Sequence, residues 1–164
     1  MKKNIKKLIA LVLVLSVLSS LVVFAENNNT IEKQYTITIP YQYPVVPGTK
    51  KWSELESLDE MIKVCQIPND VLTNISTEAL IETVIDYPLA INMFAFDTPQ
   101  EGYNSIKMYF NGVQELETRS DAINEINKRI LTSTEKNKNS IEGLIEKVIL
   151  AGLVNKVVSE SKNL

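Results

Sequence analysis

The sequence predicts an all-α fold, a compact bundle of about six short helices entered by an extended Tyr/Pro-rich arm. Three observations predict it. From residue 58 onward the apolar residues recur every three or four positions, the helical period. Most of these runs open on a Ser or Thr cap or on a proline, the residues that suit a helix start. The one alternating stretch, YTITI at 35–39, is short and runs into Pro40, Pro44 and Pro47, which bars a central-strand role.

The chain begins MKKNIKK, followed by an apolar run of about 18 residues over 8–25, then Glu26. A basic start, an apolar middle and small residues at the end describe a secretory signal cleaved after Ala25. The alternative is a retained membrane anchor, since the run approaches spanning length. Residues 26–51 follow as a polar leader and the extended arm, residues 52–158 as the helical domain, and 159–164 as a tail.

Within the domain, Ser57 and Glu60 form a capping box that starts a helix through Cys65. Pro68 suits the first position of the next helix, whose apolar side is Val71, Leu72 and Ile75. Ser76 caps the central helix, on which Leu80, Ile81, Val84 and Ile85 share a face, and Pro88 stops it near Tyr87. The run PLAINMFAF over 88–96 reads as a buried helix with Met93, Phe94 and Phe96 in the core. Thr98, Pro99 and Glu101 start another, with Tyr103, Ile106, Tyr109 and Phe110 along it, and Asn111–Gly112 is a stop or kink. Helix resumes over 113–118, and Ser120 or Asp121 caps a further one on which Ile123, Ile126 and Ile130 share a face. TSTEKNKN at 132–139 is a loop, and 140–158 is the last helix, where Gly143, Ala151 and Gly152 permit close approach.

Charge narrows the functions. Removing residues 1–7 leaves 13 basic and 20 acidic residues, a net of −7. Phosphate-gripping nucleic-acid binding needs clustered Lys and Arg, and the only arginines are Arg119 and Arg129. Histidine is absent, which removes Ser–His–Asp and Cys–His catalysis and His-containing zinc sites. The single cysteine, Cys65, forms no intramolecular disulfide and reads as a buried apolar group rather than a reactive thiol. There is no phosphate loop, G-x-S-x-G or CxxC, and no cofactor or metal is expected.

Two carboxylate groupings remain for acid–base or cation chemistry. Glu78, Glu82 and Asp86 lie four apart on one helix face, where a solvated surface explains them equally well. Asp97 and Glu101 surround the helix start near Tyr103, where capping accounts for Glu101. The candidate binding residues are Tyr35, Tyr41 and Tyr43 on the arm, with Tyr103 and Tyr109 on the helix after Pro99. The arm reads equally as a packing strap or linker, and the helical aromatics as core.

The stretch IPNDVLTNISTEALIETVIDYPL, with the Pro-rich entry and Trp52 before it and TPQEGYNSIKMYFNGVQEL after it, resembles a family of secreted proteins from Firmicutes and related gut bacteria. The resemblance covers roughly residues 44–122. It implies export and a shared helical domain, and it implies no particular chemistry.

These observations lead to a secreted or envelope-associated, non-enzymatic binding protein. Its partner would be a protein or a cell-envelope component, with membrane contact only through the N-terminal segment. Two alternatives stand beside it: a carboxylate-based hydrolase of cell-wall or dietary glycans, and a membrane-active protein working through the helix at 140–158.

Overall fold

The computed structural model describes residues 35–132 and 140–161. The expected signal at 1–25, the leader up to residue 34, the loop residues 133–139 and the last three residues of the tail lie outside the described residues. Among the described residues there are eight α-helices and one 3-10 helix, and no strand beyond a single isolated bridge. The helices are α1 (Lys50–Ser53), α2 (Leu58–Val64), α3 (Asn69–Asn74), α4 (Thr77–Ile85), the 3-10 helix (Ala90–Ala95), α5 (Pro99–Tyr109), α6 (Asn111–Thr118), α7 (Ala122–Thr132) and α8 (Ile141–Ser161).

Local sequence sets most of the starts. Ser57 Oγ accepts from the Glu60 amide at 3.2 Å, although Glu60 returns its bond to the Glu56 amide, one residue earlier than a capping box requires. Ser76 Oγ accepts from the Ala79 amide at 3.2 Å, and Ser140 Oγ from the Gly143 amide at 3.1 Å. Thr98 and Glu101 form the full reciprocal box with Pro99 as first helical residue. Pro68 stands one position before α3 rather than inside it, with extended ψ. Asp121, an expected cap, instead accepts from the Thr77 hydroxyl at 2.9 Å.

Helix α4 is the centre of the bundle. Its Ala79, Leu80, Ile81 and Val84 are buried, and it packs against α6, α7 and α8. Such a short helix is not stable alone, so its face must be covered by neighbours. Helix α8 lies across α4 and α5 with Ile149, Leu150 and Leu153 in the core. It comes so close to α5 that a Cβ on Gly152 would collide with the Tyr103 ring.

The stretch at 88–96 departs from the expected buried helix. Only Ala90 and Met93 of its 3-10 turns are buried, while Phe94 and Phe96 are each nearly half exposed. In 3-10 geometry side chains three apart eclipse. Ala90 and Met93, three apart, face inward and turn the residues between and after them out.

The arm is a strap. Ile37 pairs in parallel with Ile75, and the Thr36 and Ile37 amides both donate to the Asn74 carbonyl at 3.0 Å. Further on, the Tyr41 amide donates to Thr83 Oγ1 and the Tyr43 hydroxyl to the Thr83 carbonyl, each at 2.9 Å. Tyr43 packs near Tyr87 and Phe110, whose rings stack with centroids 4.0 Å apart.

Candidate interaction surface

Helix α5 has two faces. Gly102, Tyr103 and Ile106 point into the core. On the other side Glu101, Asn104, Ser105, Met108 and Tyr109 recur at helical spacing. With Phe96 from the end of the 3-10 helix they line an open groove of about 380 Å³. Met108 is 67% exposed, Tyr109 51% and Phe96 45%. An isolated exposed apolar residue needs no explanation, but three lining one groove suggest a contact surface. Aromatic residues and methionine are the types enriched at protein interfaces.

The surroundings hold this groove in shape. At its near end, the carbonyl of Met93 occupies the space a Cβ on Gly102 would need. The 3-10 helix therefore seats directly on α5 and carries Phe96 to its side. At the far end, α5 stops at Phe110 and α6 begins at Asn111, and this junction is tied to the α2–α3 connection by side-chain amides. Asn111 Oδ1 accepts from the Ile67 amide at 3.0 Å while its Nδ2 donates to the Ile67 carbonyl at 2.8 Å. Gln66 Oε1 accepts from the Asn111 amide at 3.1 Å, and its Nε2 donates to the Tyr109 carbonyl at 2.9 Å. The backbone beneath Tyr109 is thus fixed by bonds from forty residues away in sequence.

The candidate tyrosines separate. Tyr109 alone lines the groove. Tyr103 is a correction to the binding set: it is buried, and its hydroxyl donates to Glu117 Oε1 at 2.8 Å. Burial, with the Glu117 carboxylate next to it, raises its phenol well above the usual tyrosine range. Tyr41 and Tyr43 serve the strap, and burial raises the pKa of each. Tyr35 lies against the Arg119 guanidinium, 4.5 Å from Cζ to ring centroid.

The acidic stripe is split among different tasks. Glu82 pairs with Arg129, which also holds Glu146 at 2.9 Å, so this guanidinium ties α7 to both α4 and α8. Asp86, just beyond α4, is raised by desolvation, with Arg129 acting the other way. Glu78 and Glu82 do line a second groove of about 490 Å³ between α4 and α7, together with Glu125, Lys128 and Arg129. There Glu125 holds Lys128 at 2.6 Å. Asp97 is exposed, and Glu101 accepts from both the amide and the hydroxyl of Thr98. Among the described residues no group of three or more His, Cys, Asp or Glu side chains could hold a metal ion.

Cys65 is fully buried, and burial pushes its thiol up to about 11. Helix α8 spends Ile149, Leu150 and Leu153 on the core but leaves Ile141 and Leu144 exposed. Among the described residues no helix is long and apolar enough to cross a membrane.

The groove was missed in the sequence because Phe96 reads as core and Met108 has no partner at short range. The visible signal was the outward set Glu101, Ser105, Met108 on a helix whose core face was already assigned. Compared with known protein families, curated proteins and solved structures, the chain finds no match in any of the three.

Proposed function

We propose that the chain is a non-enzymatic binding protein, secreted or held at the cell envelope, that engages its partner through the outer face of α5. The observation that carries this reading is the groove in which Phe96, Met108 and Tyr109 are left to solvent on a backbone fixed at both ends. Preorganisation of this kind lowers the ordering cost of binding. The basic-then-apolar start of the chain and the resemblance to secreted proteins support export. The test is retention from the producer's envelope fraction and culture fluid on the immobilised full-length chain. A saturable partner, lost when Met108→Asp and Tyr109→Ala are combined, is the expected result. Retention indifferent to that pair would reject the surface.

The second groove favours one other reading, a carboxylate hydrolase, since it is concave and brings Glu78 beside Glu82. A general acid there would need a protonated carboxyl, yet Glu82 faces Arg129 and Glu125 faces Lys128. Glycan or wall hydrolysis by the purified chain, abolished by Glu78→Gln, would move the assignment to this groove.

A further inference from the structure

Resting on the binding reading above, we infer that the partner is a polypeptide segment carrying a Lys or Arg about 10–12 Å from an aliphatic or aromatic anchor. The distance comes from the groove's own polarity. Glu101 lies in the first turn of α5 and Met108 and Tyr109 in its last, seven and eight residues on. At about 1.5 Å per helical residue they are separated by about 10–12 Å. One end of the groove is therefore acidic, the other is apolar, and the uncharged Asn104 and Ser105 lie between them.

The acidic end is not neutralised locally. Asp97, exposed just before the Thr98 cap, adds a second carboxylate there. Together these outweigh the roughly half positive charge of a helix N-terminus. No Lys or Arg lines the groove. The one cation on α5, Lys107, turns aside to Glu117 Oε2 at 2.7 Å. Glu117 thus takes up the Lys107 charge, and the groove is left with a negative field at one end only.

That asymmetry selects among occupants. An anionic bilayer would meet the apolar end favourably and be repelled by the acidic end. A second copy of this acidic chain would meet like charge. A basic segment with an apolar anchor satisfies both ends at once, and complementary charge also fixes its direction. The spacing fits two side chains about seven apart on a helix, or three to four apart in an extended chain at about 3.3 Å per residue.

The experiment is to pan a random peptide library displayed on phage against the full-length chain, then titrate the selected peptides by fluorescence anisotropy. Glu101→Gln is the informative variant, because glutamine retains the capping box while removing the charge. The expected peptides pair a cation with an apolar anchor at this spacing. Their Kd rises more than about fivefold on Tyr109→Ala and about two- to fivefold on Glu101→Gln, less so at high salt. Peptides sensitive to Tyr109→Ala but indifferent to Glu101→Gln would overturn the basic partner and leave the docking face intact. Selected peptides indifferent to both would overturn the docking face as well. Phosphatidylglycerol vesicles bound through Tyr109, with no peptide selected, would replace the polypeptide by a membrane surface.

Discussion

Arg119 Nη1 donates to the carbonyl oxygen of Ile75 at 2.8 Å, although 44 residues separate them. The same guanidinium reaches the Leu72 carbonyl through Nη2 at 2.9 Å, the Thr77 hydroxyl at 3.2 Å and Glu115 through Nε at 3.1 Å. It therefore caps the end of α3 and fixes the short turn into α4, where the carbonyls would otherwise have no intrahelical partner. Its side chain is almost fully buried, and the Tyr35 ring of the strap closes over it.

Replacing Arg119 with Ala should cost about 3–5 kcal/mol, because several buried partners lose their donor at once. Lysine should rescue little, since one ammonium cannot reproduce a planar fork that reaches two carbonyls. Urea unfolding followed by circular dichroism measures both. A cost below that of an ordinary surface change would show the turn to be held by packing alone.

The strap makes a smaller, separable contribution. Tyr43→Phe removes the hydroxyl that donates to the Thr83 carbonyl while keeping the ring against Tyr87 and Phe110. About 0.5–1.5 kcal/mol should be lost. Proteolysis would report the same loosening as earlier cleavage between residues 35 and 47, with the helical body still protected.

Gly102→Ala should destabilise by about 1–3 kcal/mol, the range for overpacking. Its new methyl would meet the Met93 backbone carbonyl, which has no rotamer to escape into. Since that contact also seats Phe96 beside α5, the variant should weaken partner binding through the groove as well as lower the melting temperature. Unchanged binding in a destabilised variant would show that Phe96 is positioned by other contacts.

Stability should fall in alkali. Burial raises the phenols of Tyr43, Tyr87 and Tyr103 far above their usual range. An unfolded chain ionises its tyrosines from about pH 10. The unfolded state thus sheds protons first, so this stability is complete below that pH and is lost as pH rises beyond it. Absorbance at 295 nm should lag and then rise together with the loss of helical signal at 222 nm. Cys65, raised to about 11 by the same burial, should stay unreactive to thiol reagents at pH 8 until denaturant is added.

Much of the local structure was legible. Ser57, Ser76, Thr98 and Ser140 cap helices where the residue types place them. The apolar spacing of Leu80, Ile81 and Val84 also identified the buried face of the central helix. These features depend on neighbours within about four residues, the range over which helix caps and periodicity operate.

What the sequence determined by itself was therefore the all-α class, the main helix boundaries, the central core face and the exclusion of histidine chemistry. Tertiary structure alone decided the roles of particular side chains. It made Arg119 a clamp rather than a surface charge, sent Tyr103 inward to Glu117, and left Phe96 at a groove instead of in the core. The physical reason is distance along the chain. The Arg119, Asn111 and Thr83 bonds each join groups forty or more residues apart. Whether a polar group is buried and matched depends on what the fold brings opposite it, which no local pattern encodes.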